Sequence, residues 1–129
     1  MCASMAKRSL SRLAAQWCRQ LAAAEPRLGV LLAHDAEIHG LAPGGEDLRG
    51  PAEAEAVLRQ LSALYPVRRC KLAEVIVADS RVAVRWALRV EAGRGDWRTR
   101  NGEIAGMTMF RVVDDRIVEV WMNFGRWWV

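Results

Sequence analysis

Alternating apolar and polar positions predict two long β-strands near the end of the chain, in the stretch from Asn101 to Trp128. A period of two places one face of each strand against a core. On the second strand one face is wholly apolar, with the residues Val118, Val120, Met122 and Phe124. Residues 113–116, Val-Asp-Asp-Arg, predict the turn between the strands. A face this apolar must be shielded from solvent by other elements. The helical segments earlier in the chain are the candidates.

Earlier in the chain, apolar side chains spaced by three and four residues predict helices, and period-two runs predict further strands. Ser9 or Ser11 can cap the first helix, which leaves residues 1–8 as a disordered leader. Pro26 suits the first turn of a short second helix, and Pro66 stops the third. The predicted elements are, in order, helices over 9–24 and 26–35, a strand over 36–41, a helix over 51–64, and strands over 67–78, 81–92, 97–112 (with a bulge at 101–102) and 117–124.

Helices followed by an antiparallel meander predict an α+β fold, and we expect one domain over residues 1–129. The formal net charge is +4, and the basic residues are scattered rather than gathered in a stripe. We therefore expect no nucleic-acid partner. No apolar run reaches the roughly 20 residues that span a bilayer, so we expect no membrane segment. The first residues show no apolar segment with a cleavage site, so we also expect no signal peptide.

The three cysteines, Cys2, Cys18 and Cys70, show neither the spacing of a metal site nor a disulfide framework. They fit a reducing cytoplasm as small apolar residues, and we expect a cytoplasmic protein. His34 and His39 are the two histidines of the chain. So few histidines argue against a histidine-based metal cluster.

Several short segments carry a family resemblance. They are residues 32–40 (Leu-Ala-His-Asp-Ala-Glu-Ile-His-Gly), the Gly-rich loop that follows, Gly50-Pro51, residues 106–111 (Gly-Met-Thr-Met-Phe-Arg) and residues 117–121 (Ile-Val-Glu-Val-Trp). In this order they resemble the nuclear transport factor 2-like superfamily, and within it the SnoaL-like polyketide cyclases and the steroid delta-isomerases. The resemblance covers nearly the whole chain. It implies a cone formed by a curved antiparallel sheet around N-terminal helices, a deep apolar pocket and frequent homodimers.

The resemblance also places this chain's residues at the family's functional positions. Trp17 takes the place of the tyrosine that donates a hydrogen bond in the steroid isomerases. His39 and Gly40 stand where those enzymes carry the aspartate base. Thr108 corresponds to their second acidic donor, and Met122 to the aspartate that follows the last strand's tryptophan in many SnoaL-like sequences. The family's carboxylates are therefore absent from these positions.

Three residues are candidates for catalysis. His39 belongs to the side-chain type that titrates near neutrality, and it could move a proton alpha to a carbonyl if it faces the cone. Thr108 could orient a carbonyl oxygen, and Tyr65 could offer a phenol. The structural alternatives are a histidine at the pocket rim, a strand threonine favoured by its β-branch, and a surface tyrosine. We expect His34 and Asp35 to be structural.

The residues expected to line the pocket and bind substrate are Trp17, Leu58, Leu61, Trp86, Leu88, Phe110, Met122 and Phe124. The alternative is that these side chains form an ordinary core. In a cone the two interpretations merge, because the deep core is also the floor of the pocket.

Two functions are compatible with this sequence. The first is a cofactor-free cyclase, isomerase or dehydratase that acts on a hydrophobic, carbonyl-bearing small molecule such as a polyketide. The second is a non-catalytic binding or dimerisation module that kept the cone and lost the acids. Epoxide hydrolysis ranks last, because it needs carboxylates around a water. Trp127-Trp128 predicts a partner surface, most simply a second copy of the chain, or else an end that folds back to seal the cone.

Overall fold

A computed structural model describes residues 2–64, 67–90 and 103–124, with the side chains of residues 2–7, 67, 68, 90 and 124 left out of the description. The elements in chain order are helix α1 (Cys2–Leu21), a 3-10 turn (Leu28–Val30), strands β1 (Leu32–His39) and β2 (Leu48–Arg49), helix α2 (Gly50–Leu64), and strands β3 (Val67–Ala78), β4 (Arg81–Val90), β5 (Glu103–Val113) and β6 (Arg116–Phe124).

The strands form one curved, unclosed sheet in the order β2-β1-β6-β5-β4-β3. β1 and β6 run parallel, and the other neighbouring strands run antiparallel. The register between β3 and β4 shifts between Leu72 and Glu74, where β3 has one extra residue. The register between β5 and β6 shifts between Arg111 and Val112, where the extra residue lies in β6. Such bulges bend a strand and increase its local twist, which is how the sheet curves around its cover.

Both helices pack on one face of this sheet, which we call the inner face. Helix α1 contacts β3 and β4, and α2 contacts β1, β2 and the 3-10 turn. The predicted apolar stripe of the first helix is buried there: Leu10, Leu13, Ala14, Trp17 and Leu21. Burying apolar side chains of this size stabilises the fold by about 1.5–3 kcal/mol each, before cavity and strain effects. The inner face therefore supplies the core, and the predicted α+β architecture is confirmed.

Several predicted boundaries are confirmed. Helix α2 and strand β3 match their predictions to within a residue. The turn after β5 is also where the pattern placed it. Asp114 and Asp115 there have φ values of 51° and 62°. Two successive left-handed residues give the tight hairpin turn whose twist matches that of its strands.

The predictions were wrong between residues 2 and 50. Helix α1 begins at Cys2, so residues 2–8 are helical rather than a leader. The predicted second helix is a single 3-10 turn, after which residues 32–35 already belong to β1. A short apolar run such as Val30–Leu32 fits a helix or a strand equally. Val30 ends the 3-10 turn, and the strand starts at Leu32, which pairs with Ile117 of β6. His34 is thus an exposed strand residue rather than a helix end. The two-residue strand β2 was not predicted, and the start of the third meander strand and its bulge lie outside the described residues.

The expectation of unpaired cysteines was also wrong. Cys18 and Cys70 form a disulfide that joins α1 to β3, with 5.6 Å between their Cα atoms. The two residues are 52 positions apart, so only the tertiary packing of the helix on the strand brings them together. The argument from cysteines to a reducing compartment therefore no longer holds.

None of the helices in the described ranges is long and apolar enough to cross a bilayer.

Candidate functional site

The inner face becomes more open towards one end of the sheet. Along the inner row of β5, Ile104 and Gly106 are partly exposed, whereas Thr108, Phe110 and Val112 are buried. Leu88 pairs with Ile104 and Trp86 with Gly106, so the same end is bordered by β4.

Most of the predicted pocket-lining residues meet in one cluster on the inner face. Seven of the eight are at most 7% exposed: Trp17, Leu58, Leu61, Trp86, Leu88, Phe110 and Met122. The side chain of Phe124 lies outside the description, although its backbone pairs with Gly106 at the open end. This burial is common to a pocket lining and to the ordinary core that was the alternative, so contact with a substrate stays a prediction.

Thr108 lies at the centre of this cluster and is 1% exposed. Its Oγ1 accepts hydrogen bonds from the indole Nε1 of Trp86 at 2.8 Å and of Trp17 at 3.2 Å. The hydroxyl donates in turn towards Sδ of Met122 at 3.0 Å. A threonine hydroxyl offers one donor and two acceptor lone pairs, so these three neighbours use its full capacity. Thr108 points inward as predicted, but it holds two tryptophans in place.

The inner face carries few polar or titratable side chains. In the part of the chain that the structure describes, Thr108 is the one buried polar side chain, and no buried side chain titrates. Such an interior can bind apolar groups and exclude water. It can also strengthen any hydrogen bond formed inside it, because the surroundings have a low dielectric constant.

His39 lies on the opposite, outer face of the sheet. On β1 the buried residues are Leu32, Ala36 and Ile38, and the side chains of Glu37 and His39 point the other way. The condition for proton transfer by His39 inside the cone is therefore not met. Its position between Ile38 and Gly40 already contained this signal, since neighbouring strand residues face opposite sides.

The imidazole of His39 lies in a network of carboxylates. Nδ1 is 2.8 Å from Oδ1 of Asp47, and Nε2 is 2.7 Å from Oε2 of Glu119. Oε2 of Glu37 is 3.9 Å from the same Nε2, and the ring of Trp121 lies 5.8 Å away between centroids. The hydrogen bonds to Asp47 and then to Glu119 raise the pKa of His39 above its ordinary value of 6.5, because both favour the charged imidazolium.

Asp47, Glu119 and Glu37 were not identified from the sequence as neighbours of His39. Glu37 is two residues away on the same strand, which the period-two pattern could have revealed. Asp47 lies on the loop before β2, and Glu119 comes from β6 through a parallel pairing. No local pattern predicts that pairing. Tyr65, Trp127 and Trp128, which the sequence also singled out, lie outside the described residues.

The outer face of β3, β4 and β5 carries exposed apolar side chains among arginines. Ile76, Met107 and Met109 are 57%, 51% and 38% exposed. Arg85 is exposed on this face and pairs with Glu74 at 3.4 Å.

Comparison with known proteins places this chain among relatives of the same fold. Residues 14–120 match the SnoaL-like domain. Among curated proteins, no sequence matches the chain significantly. Wild-type IdmH from Streptomyces antibioticus, a proposed polyketide cyclase, superposes with a TM-score of 0.74 at 25% identity, over 91% of this chain and 92% of IdmH.

Two further structures share the fold at lower identity. A protein of ketosteroid isomerase-like fold from Catenulispora acidiphila, solved with trimethylamine, has a TM-score of 0.69 at 15% identity and covers 86% of this chain and 83% of its own. A proposed ketosteroid isomerase from Kribbella flavida has a TM-score of 0.66 at 21% identity, over 91% of this chain and 78% of its own. At these identities the likeness concerns the fold.

Proposed function

The chain belongs to the SnoaL-like domain family, of nuclear transport factor 2-like fold, and from this premise we propose that it is a cofactor-free cyclase of hydrophobic, carbonyl-bearing small molecules such as polyketides. The proposed substrate enters at the open end of the inner face, where Ile104 and Gly106 are partly exposed, and folds against the apolar surface there. The likeness to IdmH supports a cyclase over the family's other activities.

One observation carries this proposal: the inner face is apolar, and its one buried polar side chain in the described ranges, Thr108, is fully hydrogen-bonded. Such a surface suits catalysis by positioning rather than by proton transfer. When the protein holds the two reacting ends of one molecule together, the loss of conformational entropy occurs on binding and not during the chemical step. This can lower the activation barrier by about 7–11 kcal/mol in the best cases. The apolar wall would also keep water from a reactive intermediate.

Turnover of a panel of linear, carbonyl-bearing polyketide-like chains, followed by chromatography and mass spectrometry, tests the proposal. Ile104→Trp would obstruct the open end, and we expect it to lower turnover by at least about 10-fold, or 1.4 kcal/mol in barrier. Glu103→Trp is the matched control, because Glu103 is the neighbouring residue on the outer face. We expect His39→Gln to turn over normally. Loss of turnover in His39→Gln with normal folding would return the acid–base role to His39.

The alternative function is a binding module without catalysis. The absence of a buried titratable group from the described ranges favours it specifically. It predicts saturable binding of the same apolar chains, recovered unchanged by mass spectrometry. The binding module would be supported if Ile104→Trp weakens binding of these chains and no member of the panel gives a product.

The proposed partner is a second copy of the chain, docked through the outer face of β3, β4 and β5. Its support is the exposed apolar set of Ile76, Met107 and Met109. Light scattering after gel filtration should give twice the mass of 14.4 kDa. We expect Met107→Glu to give a monomer, and a wild-type monomer at 100 μM would contradict the proposal.

A further inference from the structure

We propose that Glu37, His39 and Glu119 form a binding site for a divalent cation of intermediate softness, represented by Zn²⁺, on the outer face of the sheet. The site lies on the side of the sheet opposite the apolar inner face, so it stands independently of the proposed cyclase activity.

The donor atoms are already close to each other. Nε2 of His39 lies 2.7 Å from Oε2 of Glu119 and 3.9 Å from Oε2 of Glu37, and all three ligand atoms lie within 4.8 Å of one another. Zn²⁺ takes imidazole and carboxylate ligands at about 2.0–2.2 Å in a tetrahedron, which separates the ligand atoms by roughly 3.4 Å. The distances among the three donor atoms lie on both sides of this value, so rotations of the two glutamate side chains suffice to bring the donors around an ion.

The second ring nitrogen of His39 is held in the way that metal-binding histidines require. Nδ1 donates to Oδ1 of Asp47 at 2.8 Å, which fixes the orientation of the ring and directs Nε2 to the two glutamates. Carboxylates in this position select the tautomer that ligates through Nε2 and make that nitrogen more basic. The ion would replace the proton that Nε2 now shares with Glu119, so binding should release a proton.

The sheet places the ligands on paired strands rather than on loops. Glu37 of β1 is in register with Glu119 of β6, and His39 with Trp121. The other carboxylate oxygen of Glu119, Oε1, lies 3.5 Å from Arg111, which leaves Oε2 for the ion. These contacts hold the donor set together before any ion arrives.

The composition of the donor set selects the ion. Three carboxylates, those of Glu37, Asp47 and Glu119, surround one imidazole, and within the described ranges the carboxylate of Glu37 makes no hydrogen bond. The carboxylate of Glu37 is therefore available as a ligand for an added cation. An imidazole ligand favours Zn²⁺, Ni²⁺ or Cu²⁺ over Ca²⁺ and Mg²⁺, which prefer oxygen ligands alone. Three protein ligands leave the fourth position to water.

Isothermal titration of the chelator-treated full chain with Zn²⁺ at pH 8 tests the site. We expect one ion per chain, with no saturable binding of Mg²⁺. His39→Gln and Glu119→Gln should each weaken Zn²⁺ binding at least 10-fold. Asp47→Asn, which changes the partner of His39 and not a ligand, should weaken it by about 10-fold. His34→Gln is the matched control on the same strand and should bind as the wild type does. Cys2→Ser should also bind normally, which excludes the remaining thiol as the ligand.

A readout on the unmodified protein keeps the test valid if a variant folds poorly. The chain has two histidines, so ¹⁵N-histidine spectra resolve both rings, and Zn²⁺ should shift Nε2 of His39 while leaving His34 unchanged. The proposal is overturned if His39 stays unshifted at 1 mM Zn²⁺, or if folded His39→Gln retains wild-type affinity.

Discussion

At the scale of single residues, Thr108 determines how the interior is organised. Replacing it with Val removes the acceptor of two indole hydrogen bonds while keeping the volume of the side chain. We expect Thr108→Val to lower the free energy of unfolding by about 1–3 kcal/mol, because the Nε1 of Trp17 loses its partner inside the core. Urea denaturation measures the loss. Thr108→Ser keeps the hydroxyl and should cost less than Thr108→Val. Equal stability of Thr108→Val and wild type would refute the role of the hydroxyl.

The pH dependence of stability should report on His39. Its hydrogen bonds to Asp47 and Glu119 raise the pKa of the folded imidazole above 6.5, its ordinary value. A raised pKa contributes stability that is fully present below about pH 6.5 and is lost as the pH rises through the folded pKa. In chelator-treated protein, the stability gap between wild type and His39→Gln should thus be wider at pH 6 than at pH 9. A gap that does not change with pH would contradict this.

The same residues show how far sequence alone reaches at this scale. Burial of Trp17, Trp86 and Met122 followed from their periodic positions, and the inward direction of Thr108 from the alternation of β5. The hydrogen bonds among them did not, because α1, β4, β5 and β6 meet only in the folded chain. His39 was assigned to the cone through a family resemblance, whereas its own strand pattern assigns it to the outer face.

At the scale of elements, the close pairing of β1 and β6 depends on Gly40. Gly40 has a φ of 82°, and a Cβ there would collide with the backbone oxygen of Met122. Gly45 has nearly the same φ, 83°, with nothing within 4 Å of its Cβ position. Gly45→Ala should therefore cost only the left-handed strain, about 1–2 kcal/mol. Gly40→Ala should cost about 1–3 kcal/mol more, because a rigid backbone must move. Thermal or urea unfolding compares them, and equal losses would contradict the account.

The disulfide joins two elements that no local pattern connects. Reducing the Cys18–Cys70 bond should lower the free energy of unfolding by about 2–4 kcal/mol, chiefly because the unfolded chain gains freedom. Denaturation with and without a phosphine reductant measures this. The double variant Cys18→Ala, Cys70→Ala should be insensitive to the reductant. Three titratable thiols in unfolded, non-reduced protein would show that the bond does not form.

Elements with a clear period were predictable, and those without one were not. α2 and β3 have sustained patterns bounded by proline or a tight turn, and their limits were correct. Residues 28–35 mix a helical spacing with a strand composition, and only the neighbouring strand β6 resolves them. β2 is two residues long and exists through its pairing with β1.

At the scale of the whole molecule, the order of helices and strands was enough for the α+β class, whereas the cone followed from the family resemblance. The SnoaL-like family model agrees with that resemblance over residues 14–120. The activity does not follow from the fold, because one fold carries many functions. The missing family carboxylates were visible in the sequence. The structure adds that the described interior is apolar and that His39 stands outside it.

The most direct test of this account asks which face of the sheet meets the ligand. Indole ¹⁵N–¹H resonances report on Trp86 at the inner face and on Trp121 at the outer face during titration with a carbonyl-bearing polyketide-like chain. The account predicts that Trp86 shifts with saturation while Trp121 stays in place. A saturable shift of Trp121 with an unchanged Trp86 would place binding beside His39 and contradict the proposed cyclase interior.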